Sequence, residues 1–290
     1  MRNIVLITDK RKIKSKKYED LFSYLDQLIV TESNIPVEVE IVDTEEADKF
    51  RLNTKSRNTL IVSLGGDGTA LKAMKLGYKH NQDVLLIGSG RVGYLVNKIE
   101  NISSIVDEYL QLKKARRDNI SSLRPSDLED NYIRRRPIIQ NGDSSFTAFN
   151  EVVIIKNSPT RLLDLLIETY DQKVKLRSDG IIISTSLGST AYNYSAGGPI
   201  VHNEIDSIVV TPISPFSKFP RSIVLSDKSK ISVTIPKNQN YAIQFDGVVE
   251  VQEINEEKIT YEYELSEGSV NLIGHDNNPK IDNFLNQILR

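Results

Sequence analysis

Three clusters in this 290-residue chain combine residue types and spacings suited to phosphate and nucleotide chemistry. The first is Ser63-Leu64-Gly65-Gly66-Asp67-Gly68-Thr69, between a hydrophobic run and a helical pattern. Adjacent glycines let a ligand approach the backbone closely and permit a positive φ. Successive N–H groups beside a helix N-terminus then form an anion-binding nest. Asp67 does not itself favour a phosphate, because like charges repel. It suits a partner for Mg2+ or a base facing a hydroxyl. The competing reading is a tight strand-to-helix turn with Asp67 or Thr69 as the N-cap.

The second cluster, Gly88-Ser89-Gly90-Arg91-Val92-Gly93, has the form G-x-G-x-x-G. A dinucleotide-binding fold opens a helix within that motif, whereas here Tyr94-Leu95-Val96 continues as an apolar run. A glycine-lined wall of a nucleotide cleft, or a plain loop, fits better. The third cluster runs from Arg177-Ser178-Asp179-Gly180 through Gly188-Ser189-Thr190-Ala191-Tyr192 into Ser195-Ala196-Gly197-Gly198-Pro199-Ile200-Val201. Its small and hydroxylated residues offer donors and acceptors, and Tyr192 offers a face for a flat ring. A Gly/Ser-rich turn between strands is the alternative. Asn150-Glu151 heads the apolar run Val152–Ile155, where a buried carboxylate could accept from ribose hydroxyls, although a surface Glu is commoner.

The elements that must position these residues follow two periodicities. Apolar runs at Asn3–Thr8, Val37–Val42, Leu60–Leu64 and Val84–Ile87 are strand-length, and Tyr18–Val30, Ala70–Tyr78 and Ile102–Leu112 have helical spacing. This alternation predicts an α/β domain with a mainly parallel sheet over 1–123, carrying the Gly-Gly-Asp-Gly loop. From Thr147 onward most runs read as strands, among them Leu163–Tyr170, Gly180–Ser184, Ser207–Thr211, Ile231–Ile235, Tyr241–Phe245 and Lys258–Leu265. Residues 124–277 are therefore expected to form a β-rich domain. A short amphipathic helix over about 278–290 is expected to pack back on the first domain.

Composition removes several classes of function. The chain has no cysteine, which excludes disulfides, thiolate metal sites and cysteine nucleophiles. Lys and Arg number 37 against 39 Asp and Glu, so there is no electrostatic footprint for nucleic acid or an anionic membrane. No apolar stretch is long enough to span a bilayer, and the N-terminal segment does not read as a signal peptide, so a cytoplasmic protein is expected. His80, His202 and His275 lack ligand spacing. The basic runs Lys10–Lys17, Lys113–Arg117 and Arg134–Arg136 read as solvated surface.

In order and spacing, GGDGT at 65–69, Asn150-Glu151-Val152-Val153-Ile154, SDG at 178–180, GSTAY at 188–192, SAGGPIV at 195–201, Thr211-Pro212-Ile213 and Phe245-Asp246-Gly247 resemble the NAD kinase family. The resemblance implies a two-domain NAD kinase-like fold with the active site between the domains. The implied enzyme transfers the γ-phosphate of ATP to the 2′-hydroxyl of the adenosine ribose of NAD, producing NADP. Gly65, Gly66, Gly68 and Thr69 would then surround phosphates, with Asp67 activating the hydroxyl. Asn150 and Glu151 would hold the ribose and adenosine. Asp179, Ser189, Thr190, Ala191, Tyr192 and Ser195 would line the adenine and nicotinamide pockets, some of them across a subunit interface in a homo-oligomer, a dimer or tetramer. Mg2+ or another divalent metal would enter on the ATP phosphates rather than through a side-chain cluster, and polyphosphate is an alternative donor. The chain departs from the family at Gly88-Ser89-Gly90, where the usual pattern is Asn-Thr-Gly, so an asparagine amide is missing. A dinucleotide-binding regulator without turnover and a related lipid-type kinase remain the competing readings.

Overall fold

The structure, a computed structural model, describes residues 3–13, 38–52, 59–88, 95–96, 132–157, 159, 161–170, 172–216, 221–250 and 258–273. The helices expected at Tyr18–Val30, Ile102–Leu112 and 278–290 lie outside these residues, as does Ser89–Gly93 of the second glycine cluster. The chain divides into two compact units, Met1–Arg135 with Val270–Arg290, and Arg136–Ser269.

The first unit is an α/β body. Its strands are β1 (Asn3–Thr8), β2 (Glu38–Asp43), β3 (Thr59–Gly65), β4 (Val84–Gly88), β5 (Tyr132–Arg135) and, from the far end of the chain, β18 (Val270–Ile273). They form one sheet in the order β2-β1-β3-β4-β18-β5, parallel except for the β18–β5 pair. Ile4 to Ile7, Leu60 to Val62 and Val84 to Ile87 are all buried, as expected for parallel strands covered on both faces. Helix α1 (Asp67–His80) follows β3 after one intervening residue and buries Ala70, Leu71, Ala73, Met74 and Leu76. It stops at Asn81, which turns left-handed (φ 50°). The composition change near residue 123 and the division at 135 differ by the segment holding β5, which is tied to the first unit by its ladder to β18.

The second unit is a sandwich of two antiparallel sheets. One contains β6 (Ile138–Gln140), β7 (Asp143–Ala148), β9 (Leu163–Thr169), β10 (Gln172–Ser178), β14 (Ile231–Pro236) and β17 (Lys258–Leu265), in the order β10-β9-β14-β17-β6-β7. The other contains β8 (Glu151–Lys156), β11 (Gly180–Thr185), β12 (Ser207–Ile213), β13 (Ile223–Ser226), β15 (Tyr241–Phe245) and β16 (Val248–Glu250), in the order β13-β12-β11-β8-β15-β16. Alternate residues fill the core between them: Val152 and Ile154, Ile181 and Ile183, and Ile208 and Val210 meet Leu163, Leu165, Ile231, Val233, Tyr261 and Tyr263. The intervening Val153, Ile182 and Val209 are also buried, so β8, β11 and β12 are covered on both faces. This doubly covered centre carries Asn150-Glu151 at the start of β8 and the Gly188–Tyr192 segment just after β11.

Candidate active site

In the first unit, β3 delivers Gly65 to the start of α1. Gly66 occupies the N-cap with extended backbone (φ −93°, ψ −172°), and Asp67 is the first helical residue. No side chain caps the helix, so Asp67 and Thr69 are not the N-cap. The Gly66 carbonyl instead accepts from Thr69 N (3.0 Å) and Ala70 N (3.1 Å). The positive φ anticipated for this loop is absent, because among the described residues the glycines with positive φ are Gly142, Gly197 and Gly247. Space, rather than dihedral angle, demands glycine at Gly65. A Cβ on Gly65 would lie 2.5 Å from Thr69 Oγ1 and 2.8 Å from its Cβ. At Gly66 and Gly68 a Cβ would meet none of the described residues within 4 Å, so this face of the loop is open to them. Asp67 sits where the helix dipole favours an anion, and its Oδ1 accepts from Leu95 N (3.1 Å). Among the described residues no group of three His, Asp or Glu side chains could hold a metal.

In the second unit, Asn150 and Glu151 stand where the chain enters β8. The Thr185 backbone N–H donates to the Asn150 carbonyl (2.9 Å), and Thr185 Oγ1 donates to the Phe149 carbonyl (2.6 Å). Gly188 N in turn donates to Thr185 Oγ1 (3.0 Å). A Cβ on Gly188 would be 2.6 Å from Asn150 Cα and nearer still to its carbonyl, so only glycine lets the two segments touch. GSTAY and Asn150-Glu151, 37 positions apart, thereby form one surface.

Glu151 is 7% exposed, and its Oε2 is buried without a hydrogen-bond partner among the described residues. Burial first, and then the neighbouring Asp246 carboxylate, push its pKa up to about 7. A hydrogen bond from the Tyr192 backbone N–H offsets part of that rise. The Asp246 carboxylate accepts from the main-chain N–H groups of Phe149 (3.0 Å), Asn150 (2.7 Å) and Glu151 (3.3 Å).

The other expected contacts divide. Tyr192 and Ser195, on the short helix α2 (Tyr192–Ser195), are exposed, and Thr190 and Ala191 are half-buried. Ser189 is fully buried, with its Oγ donating to the Val201 carbonyl (3.2 Å) and accepting from Val201 N (3.0 Å), so its hydroxyl ties GSTAY to SAGGPIV. Asp179 stands at the other end of β11, where Lys156 Nζ lies 2.5 Å from its carboxylate. The register pairs Gly180 with Ile155 and Ser184 with Glu151, which keeps Asp179 away from Glu151 within one chain. Asn193 was not singled out from sequence, yet it is fully buried. It donates to the carbonyls of Ser189 and Pro199 (both 3.0 Å) and accepts from Thr211 Oγ1 (2.7 Å). Its only sequence signal was a place between two glycine-rich motifs.

Comparison with known proteins identifies the family of the chain. Residues 10–114 match the model of the ATP-NAD kinase N-terminal domain, and residues 149–273 match that of the C-terminal domain. The chain is 31% identical over 237 residues to the bifunctional NADP phosphatase/NAD kinase of Methanocaldococcus jannaschii, covering 80% of this chain but 39% of that protein. It is 36% identical over 219 residues to the NAD kinase of Clostridium tetani, covering 72% of each. A crystal structure of yeast NADH kinase complexed with NADH has the same fold (TM-score 0.74, 20% identity, covering 100% of this chain and 87% of that one). With both domain models matched in order across most of its length, the chain belongs to the ATP-NAD kinase family.

Proposed function

We propose that the chain transfers the γ-phosphate of ATP to the 2′-hydroxyl of the adenosine ribose of NAD, forming NADP. The observation that carries this reading is Asp67 on the first turn of an uncapped helix, beside open space at Gly66 and Gly68. The N-terminal turn of such a helix, where the dipole is positive, receives phosphate oxygens. The carboxylate faces the acceptor hydroxyl, orients it, and takes its proton as the bond from oxygen to the γ-phosphorus forms and the bond to ADP breaks. A free aspartate has a pKa of about 4 and is a weak base, which is adequate for a loose transition state in which the proton leaves late. The divalent metal enters as part of the Mg·ATP substrate, where it neutralises phosphate charge; Asp67 offers the hard oxygen donor such an ion prefers.

Asn150, Glu151 and the exposed Tyr192 face hold the dinucleotide. Glu151 supports this assignment because its buried, unpartnered oxygen gains a partner from a ribose hydroxyl. The protein works as a homo-oligomer in the cytoplasm. The position of Asp179 favours an oligomer, since the length of the six-residue β11, about 17 Å, separates it from the Thr185 end. A second copy can bring Asp179 to the dinucleotide where the same chain cannot.

The test is a matrix of donors (ATP, polyphosphate) and acceptors (NAD, NADH) with Mg2+, read as NADP or NADPH formed. Formation of NADP from ATP and NAD is expected. NAD binding without turnover under every combination contradicts the kinase and leaves a dinucleotide-binding regulator.

A further inference from the structure

We propose that Asp246 is a positioning residue for the acceptor, its carboxylate gripping three consecutive main-chain N–H groups and thereby fixing the Asn150-Glu151 pair against the dinucleotide. This rests on the function proposed above and extends it to a residue 95 positions beyond Glu151.

The geometry is that of an anion nest turned inward. Oδ2 accepts from Phe149 N, and Oδ1 accepts from both Asn150 N and Glu151 N. The Asp246 N–H donates back to the Glu151 carbonyl (3.0 Å), so four hydrogen bonds join one residue to the entrance of β8. Converging N–H groups of this kind ordinarily collect a bound anion. Here the protein supplies the anion itself, on a two-residue hairpin loop. Asp246 (φ 52°) and Gly247 (φ 79°) are both left-handed between β15 and β16, as such a loop requires.

Satisfying three N–H groups does not by itself require a charge. A charge has a second consequence in this place, because Glu151 is its neighbour. Among the described residues, two groups act on the Glu151 carboxyl, and its register partner on β11 does not. Asp246 approaches from the hairpin, and the Tyr192 N–H from α2 donates to the carboxyl. On β11 its register partner Ser184 directs its hydroxyl to the carbonyls of Asn150 and Thr185. Asp246 is thus the charged group that opposes ionisation of Glu151. It keeps the carboxyl protonated to higher pH, able to donate as well as accept when a ribose diol arrives. One carboxylate therefore sets both where the acceptor-binding pair stands and which protons it carries.

Asp246→Asn tests this directly, because Asn is well tolerated at a left-handed position while it loses the charge and one acceptor. At saturating ATP the KM for NAD is expected to rise about tenfold with kcat within about threefold, the size of losing hydrogen bonds to a charged group. The midpoint of the pH dependence of NAD affinity, near pH 7 in the wild type, is expected to move down. Asp246→Glu keeps the charge but misplaces it, so its midpoint stays raised while its KM does not recover. A role in folding alone lowers Tm without moving the midpoint. Unchanged KM and midpoint in Asp246→Asn, or a loss confined to kcat, overturns the inference. A wild-type protein that neither binds NAD nor forms NADP overturns the proposed function instead. Amide hydrogen exchange at residues 149–151 in the ligand-free protein then decides the grip: protection lost in Asp246→Asn supports it, and protection retained overturns it.

Discussion

Glu151 keeps its proton to about pH 7 because burial and Asp246 both oppose its charge, whereas an unfolded chain releases that proton near 4.5. Between those values the folded state holds a proton that the unfolded state has lost. The resulting stability is complete below about pH 4.5 and disappears as pH rises through 7. Glu151→Gln removes this dependence. In urea unfolding, the variant is expected to gain on the wild type between pH 5 and pH 8, by up to about 3 kcal/mol for an unscreened shift of this size. Equal slopes for the two proteins would contradict the buried, protonated state. Gly68 gives a second test at this scale. A methyl group there meets nothing within 4 Å, and alanine is the better helix former by about 1 kcal/mol. Gly68→Ala should therefore hold or raise Tm while lowering turnover, because the open space belongs to the phosphates. A stabilised variant with full activity would show that nothing fills it.

At the scale of elements, the contact between Gly188 and Asn150 decides whether two sequence motifs become one surface. Gly188→Ala forces a methyl group into the Asn150 main chain and is expected to cost about 1–3 kcal/mol of stability and raise the KM for NAD. Wild-type Tm and KM would show that the segments need not touch. The same contact marks a limit of legibility. Buried strands could be read from their runs: Asn3–Thr8, Tyr241–Phe245 and Lys258–Leu265 end where the sequence predicts. β10 was not read, because Gln172–Ser178 exposes five of its seven side chains and carries almost no apolar pattern. β5 and β13 are short, and β18 owes its place to partners far away in sequence. The Gly-Gly-Asp-Gly loop was legible as a strand-to-helix junction, although none of its glycines takes a positive φ and only Gly65 is required by close packing. Asp246 and Asn193 carry no local signature of their roles, because their hydrogen-bond partners lie in other segments.

For the molecule as a whole, the Gly-Gly-Asp-Gly loop belongs to one unit, and Asn150-Glu151 with Gly188–Tyr192 to the other. Under the proposed function, dinucleotide binding and phosphoryl transfer are therefore expected to be separable by mutation. Asp179 extends this to the assembly. Asp67→Asn and Asp179→Ala chains, each inactive alone, are expected to regain turnover when mixed and reassembled, since a mixed oligomer holds one site with both residues intact. Continued inactivity would place Asp179 outside the site. The central claim is that the Asp67 carboxylate takes part in the transfer step itself. Its most direct test is Asp67→Asn, assayed for NADP formation and NAD binding on the same protein sample. The account predicts turnover reduced on the order of 10²–10⁴-fold with NAD affinity within about threefold of wild type. Wild-type turnover in that variant, or NAD binding lost together with turnover, would contradict it.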